Sequence, residues 1–135
     1  MQLKELFSED MPFQVEEELP YRHSYSFEIN DKKYWASFTK QGEKNLDLWG
    51  FYFKDDAGQQ GITGAGDAIK VFAFIKQIFF KFMRKVNPQI VQFTANEPSR
   101  IKLYNRFSKQ LQRKGFRVEV KRRSGGVYYF IINET

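Results

Sequence analysis

Three consecutive pieces between positions 46 and 94 constrain this chain most. Residues 46–53 are apolar on both faces, with Leu46, Leu48 and Tyr52 on one side and Trp49, Phe51 and Phe53 on the other. Such a run suits a central strand covered above and below. A loop over 55–66 follows, with only Ala57, Ile62 and Ala65 apolar, and it ends in Gly61-Ile62-Thr63-Gly64-Ala65-Gly66. From about position 67 to 86, Val71, Phe74, Ile75, Ile78, Phe79, Phe82 and Val86 recur at helical spacing, with Lys70, Lys76, Gln77, Lys81, Arg84 and Lys85 facing out. Asn87-Pro88 stops the helix, and 90–94 reads as a short buried strand. Two strands joined through a helix run parallel, with a right-handed crossover. The glycine-rich turn sits where the helix begins. There, backbone N–H groups have no partner within the helix and suit a phosphate or pyrophosphate. Glycine permits φ > 0 and leaves room for the ligand. Asp67 is expected as the N-cap. A loop that simply needs a tight turn would use the same glycines.

The flanking segments read as hairpins and one more helix. Residues 2–7 suit a short helix, and 13–18 a strand or irregular edge. Tyr25, Phe27 and Ile29 alternate with Ser24, Ser26, Glu28 and Asn30, the pattern of a half-buried strand. Asn30-Asp31-Lys32 turns the chain into a returning strand over 34–39, and 41–45 forms a second turn. Pro98 opens a helix to about position 112, with Ile101, Leu103, Tyr104, Phe107 and Leu111 inward, and Gly115 ends it. Phe116, Val118 and Val120 alternate with Arg117, Glu119 and Lys121; Ser124-Gly125-Gly126 then turns the chain into a last strand over 127–132. The expected fold is α+β: a mixed, mostly antiparallel sheet with a central parallel strand–helix–strand unit and helices packed on its faces, as a single domain over residues 1–135.

Charge divides the chain. Glu5, Glu9, Asp10, Glu16, Glu17 and Glu18 lie in the first stretch. Arg100, Lys102, Arg106, Lys109, Arg113, Lys114, Arg117, Lys121, Arg122 and Arg123 lie later, against Glu119 alone, within a net charge of +6. The basic half suits an anionic partner, whether nucleotide, nucleic acid or acidic protein, or else is a solvated helix face and hairpin tip. One histidine and no cysteine argue against a structural zinc site and exclude disulfides and a thiolate nucleophile. The acidic N-terminus lacks the apolar run of a signal peptide, and Lys76, Gln77 and Lys81 interrupt the longest apolar stretch, so no membrane span is expected.

Residues 46–132 resemble the GNAT superfamily of N-acetyltransferases. The resemblance rests on the loop Gly61-Ile62-Thr63-Gly64-Ala65-Gly66 between strand and helix, then Asn96, Leu103-Tyr104 and Gly115-Phe116. More narrowly, Thr63-Gly64-Ala65-Gly66-Asp67-Ala68 with Val71-Phe72-Ala73, and residues 97–104, are similar to small GNAT-like proteins of bacteriophages. The chain departs from the family pattern in three places. Gly61 stands where Gln or Arg is expected, with Gln60 one place early. Asn96 lies one residue further from Tyr104, and a longer helix separates Tyr104 from Gly115.

The resemblance implies an acetyl-CoA-dependent N-acetyltransferase acting in a host bacterial cytoplasm on a host protein or small molecule, as a monomer or homodimer. It implies that Ile62, Thr63, Gly64, Ala65, Gly66, Asp67 and Ala68 hold the pyrophosphate, with Asn96 also on the cofactor and Arg100 and Arg106 at its remaining phosphate. Carbonyls near the end of strand 46–53 would pair with the pantetheine arm, and Tyr104 would be the general acid for the leaving thiolate. Otherwise Tyr104 packs in its helix face, and Arg100 and Arg106 form a solvated pair. No general base stands out among His23, Glu28 and Asp47. The alternative is a non-catalytic GNAT-like protein that binds a host protein or, with less support, nucleic acid.

Overall fold

The structure is a computed structural model that describes residues 12–41, 47–55 and 65–133, and the side chains at 55 and 65–68 are not among those described. The described strands are β1 Gln14–Leu19, β2 Arg22–Ile29, β3 Lys32–Gln41, β4 Leu48–Asp55, β5 Ile90–Ala95, β6 Arg117–Arg123 and β7 Gly126–Ile132. Helix α1, Ala65–Val86, joins β4 to β5, and helix α2, Pro98–Arg113, joins β5 to β6. The strands form one sheet in the order β1-β2-β3-β4-β5-β7-β6. Only β4 and β5 pair in parallel; all other neighbours are antiparallel. This is the expected α+β architecture. The expected helix over 2–7 and most of the turn over 41–45 lie outside the described residues.

Local chemistry accounts for the connections. Asn30 and Asp31 both take positive φ (52° and 65°), the backbone of a two-residue hairpin turn that matches strand twist. Gly115 takes φ 97° just past α2, where a left-handed residue ends a helix at least cost. Gly126 has φ 136° as β7 begins, and a Cβ there would stand 2.7 Å from the Ala95 carbonyl oxygen.

Both helices lie on the same face of the sheet. The crossovers β4-α1-β5 and β5-α2-β6 progress in the same direction across the sheet, so a shared right-handed rule puts both helices on one side. Side chains agree. Phe74 stacks on Phe27 at 4.4 Å and Phe82 on Phe38 at 4.0 Å, while Phe93 meets Tyr104 at 5.2 Å and Phe107 at 5.7 Å. The helices expected to pack on the sheet thus both lie on this one face. Along the sheet, the odd-numbered positions of β2, β4, β5 and β7 and the even-numbered ones of β3 build the core, with Tyr25, Tyr34, Phe38, Val91, Phe93, Tyr129 and Ile131 each nearly inaccessible. Where β1, β2 and β3 meet, the opposite face is polar. There Ser26 Oγ donates to Glu16 Oε1 (2.6 Å), Ser24 Oγ lies 3.1 Å from Ser37 Oγ, and Arg22 Nε pairs with Glu17 Oε1 at 3.3 Å. Tyr52, expected to be covered on both sides, is 50% exposed on this face. Its ring is apolar enough to read as core, yet its hydroxyl accepts a hydrogen bond from Gln41 Nε2.

The outer strands carry opposite charge. β1 presents Glu16, Glu17 and Glu18, the last paired with Lys85 Nζ at 2.5 Å. β6 presents Arg117, Lys121, Arg122 and Arg123, with Arg117 paired to Glu119.

Candidate functional site

The parallel pair β4/β5 is short. Leu48, Trp49 and Gly50 face Ile90, Val91 and Gln92, and the register goes no further. Beyond it the strands part and leave a cleft of about 340 Å³. Gln41, Gly50, Tyr52, Gln92, Thr94 and Tyr128 line it from the helix-free face, and Phe51, Phe53, Arg100 and Tyr104 from the helix side. The strand pleat alternates side chains between faces, so residues of both faces meet in this gap. Ligands of open α/β sheets sit in such crevices, beyond the carboxyl ends of parallel strands.

Both helices start at this end of the sheet. α1 begins at Ala65, two residues earlier than the sequence suggests. Asp67 is therefore in the first turn rather than at the N-cap, which corrects that expectation. An acidic residue there still complements the positive end of the helix, so nothing in the sequence holds the start back to position 67. The backbones of Ala65, Gly66, Asp67 and Ala68 form that first turn, whose N–H groups lack intrahelical acceptors. Ile62, Thr63 and Gly64 lie outside the described residues. α2 begins at Pro98 after Glu97, which makes no side-chain cap, and its first turn carries no acidic residue. Asn96, between β5 and α2, is exposed and lines the cleft.

Tyr104 and Arg100 are one helical turn apart on α2 and face the cleft together. Tyr104 is 3% exposed, packed edge-on against Phe93 and Tyr129. Burial pushes its hydroxyl up to about 12, against the opposing pull of the Arg100 charge and hydrogen bond. Arg100 is 4% exposed, with its guanidinium 5.1 Å from the centre of the Phe53 ring. Its Nη2 is buried without a hydrogen-bond partner. Arg106, by contrast, is exposed, so the two arginines do not form a solvated pair.

The three candidate bases stand elsewhere. His23 is buried between Trp49 and Phe82, with ring centres 5.7 Å and 5.5 Å away, under the C-terminal half of α1. Burial holds its imidazole below the usual value, against the opposing pull of Glu18. Asp47 accepts from Trp49 Nε1 (2.8 Å) and from the Gln89 backbone N–H (3.2 Å), at the amino ends of β4 and β5. Glu28 lies on β2 among Pro12, Gln14 and Lys33, away from the cleft. Among the described lining residues the cleft contains no carboxylate and no imidazole.

Neither a protein-family model nor a curated protein matches the chain. Solved structures with a similar course of the chain include two that are acetyltransferases by name. One is RimL, a ribosomal L7/L12 α-N-protein acetyltransferase in complex with coenzyme A, at 12% identity over 84% of this chain and 62% of that one, with a TM-score of 0.46. Another is the ribosomal-protein-S5-alanine acetyltransferase from Vibrio fischeri, at 11% identity over 98% of this chain and 68% of that one, with a TM-score of 0.49. A third is AAC(6')-Ib in complex with paromomycin and acetyl-CoA, at 12% identity over 84% and 66%, with a TM-score of 0.47. This chain thus spans 62% to 68% of the lengths of these three proteins.

Proposed function

We propose that this chain is an acetyl-CoA-dependent N-acetyltransferase. The observation that carries the reading is the parting of β4 and β5 after Gly50 and Gln92, with a buried tyrosine and the starts of two helices beside the opening. The unpaired edge of β4 offers backbone groups to the two amides of a pantetheine arm, which would lie along it as an added strand. The N–H groups at the start of α1, with the glycine turn at 61–64, would take the pyrophosphate. Asn96 lies within the same cleft, suited to an amide of the arm.

In the reaction the lone pair of an acceptor amine attacks the thioester carbonyl carbon. A C–N bond forms, the C–S bond breaks, the amine loses a proton and the thiolate gains one. Tyr104 would meet the sulfur. Burial raises its hydroxyl to about 12, so it stays protonated and can donate to the sulfur as the thiolate leaves. With no base among the described lining residues, the acceptor amine would lose its proton to water.

The test is thermal unfolding with and without acetyl-CoA. A ligand that binds only the folded chain raises the midpoint. The rise should disappear in Gly64→Glu, which puts a side chain and a negative charge into the glycine turn. Absence of any rise at millimolar acetyl-CoA would remove the enzyme reading.

A second reading has its own observation. β6 exposes Arg117, Lys121, Arg122 and Arg123 along the outer edge of the sheet. These cations suit a non-catalytic protein that holds an acidic host protein or a nucleic acid. Binding of that kind would weaken steeply with salt, whereas the cleft would answer to coenzyme A.

A further inference from the structure

Among the described residues, Arg100 is the one guanidinium or ammonium withdrawn into the core. A guanidinium keeps its proton in proteins. Burying it unpaired costs several kcal/mol, so its surroundings should supply a negative charge. They do not. Phe53 offers a ring face, the Tyr104 hydroxyl takes one hydrogen bond, and Nη2 has no partner. A ring face and a neutral hydroxyl offset only part of that cost.

Apart from the Phe51 and Phe53 rings, the other described lining residues are polar and neutral. Gln41, Gln92 and Asn96 bring amides, and Thr94, Tyr52 and Tyr128 bring hydroxyls. One fixed positive charge amid neutral donors and acceptors fits a ligand with one negative charge. A phosphate monoester carries about −1.5 to −2 near neutral pH and would leave charge uncompensated. A carboxylate carries one charge and matches the guanidinium fork in shape. The cleft holds about 340 Å³, and the end of the pantetheine arm would share it, so the acceptor it can admit is small.

We infer that the cleft between β4 and β5 takes an acceptor that carries a carboxylate as well as its amine, an amino-acid-like small molecule, and that the carboxylate pairs with Arg100. The amine half of this statement rests on the acetyltransferase reading above; the carboxylate half does not. Positions 100 and 104 are separated by one turn of α2, about 5.4 Å. With the carboxylate on Arg100, the amine of a short amino acid reaches the neighbourhood of Tyr104, where the thioester would be. Arg100 is thereby assigned to the acceptor and not to a phosphate of the cofactor.

The experiment uses the full chain, alone and saturated with coenzyme A. Each common α-amino acid is titrated beside its own α-carboxamide, with O-phosphoethanolamine as the phosphate arm. Unfolding midpoint and calorimetric affinity are the readouts, and thiol release from acetyl-CoA is followed in parallel. At least one amino acid should raise the midpoint, and its carboxamide should bind at least about tenfold more weakly, the loss expected for a charge-assisted pair. Arg100→Gln should erase that preference while keeping the response to acetyl-CoA, and Arg100→Lys should retain part of it. Without ligand, Arg100→Gln should unfold at no lower temperature than the parent, because it removes an unmatched buried charge. Equal binding of acid and amide would overturn the inference, as would a phosphate arm that outcompetes every carboxylate. So would an Arg100→Gln variant that loses acetyl-CoA binding with no amino-acid response in the parent, since Arg100 would then serve the cofactor. An amino-acid response with no acetyl-CoA response would leave the carboxylate site standing and remove the acetyltransferase reading.

Discussion

The two ends of the β4/β5 pair behave as opposites. At the amino end the strands are tied. Ile90 N–H donates to the Asp47 carbonyl at 3.1 Å, the Asp47 carboxylate receives Trp49 Nε1 and the Gln89 N–H, and Asn133 N–H closes onto the Gln89 carbonyl at 2.9 Å. At the carboxyl end the ladder stops after three pairs and the cleft begins. The core does not stop with it. Phe51 stacks on Phe93 at 4.6 Å beneath the opening, and Phe93 also meets Phe79, Phe107 and Tyr104. Side-chain packing thus holds the strands together where backbone hydrogen bonds do not. That frees backbone groups of β4 for a ligand without loosening the fold.

Three substitutions probe this contrast. The largest effect should come from Phe93→Ala, which empties the packing under the open end. A buried phenylalanine truncated in this way costs about 3–5 kcal/mol. Chemical denaturation should record a loss of that size, and a loss below about 1 kcal/mol would mean that the open end is held by something other than this ring. Asp47→Ala unties the closed end and leaves the Trp49 and Gln89 donors without their acceptor, for a loss of about 1–3 kcal/mol. If Asp47 were instead a base, activity would collapse at unchanged stability.

The smallest effect concerns pH. His23 sits under Phe82, with Glu18 and Lys85 as its charged neighbours. Burial lowers its folded value below 6.5. Between the folded and unfolded values the unfolded chain binds the extra proton, so stability falls as pH drops below 6.5 and levels off once the folded form also protonates. One such group gives a slope of at most about 1.4 kcal/mol per pH unit. His23→Phe should flatten the fall of stability just below pH 6.5, and an unchanged slope would assign the effect to other groups.

Much of the fold was legible because periodicity reports packing directly. The two helices, the parallel pair and the hairpin at Asn30-Asp31 all appear where spacing and turn chemistry put them. Coverage of the sheet was less legible. Tyr52 read as buried because hydropathy ignores how a tyrosine hydroxyl can be served by a neighbouring amide on an open face. Tyr104 was expected inward on its helix and is buried there, whereas Arg100 was read as a cofactor-facing cation and its burial was not foreseen. Yet Arg100, Tyr104, Phe107 and Leu111 share one helical stripe, a spacing that carries the guanidinium inward with the rings. Asp47 illustrates a limit of a different kind: a sequence displays a carboxylate but not the donors that have already claimed it.

The charged outer strands constrain how copies of this chain can meet. A twofold dimer made by continuing the sheet would set β1 against β1, bringing Glu16–Glu18 of each copy together, or β6 against β6, bringing Arg117 and the Lys121–Arg123 run together. Both arrangements oppose like charge at close range. Joining β1 to β6 matches opposite charges, but that contact is head-to-tail, and unless its rotation closes a ring it continues without limit. The electrostatics of the two margins therefore penalise closed pairing through the sheet, and raising the ionic strength relaxes that penalty.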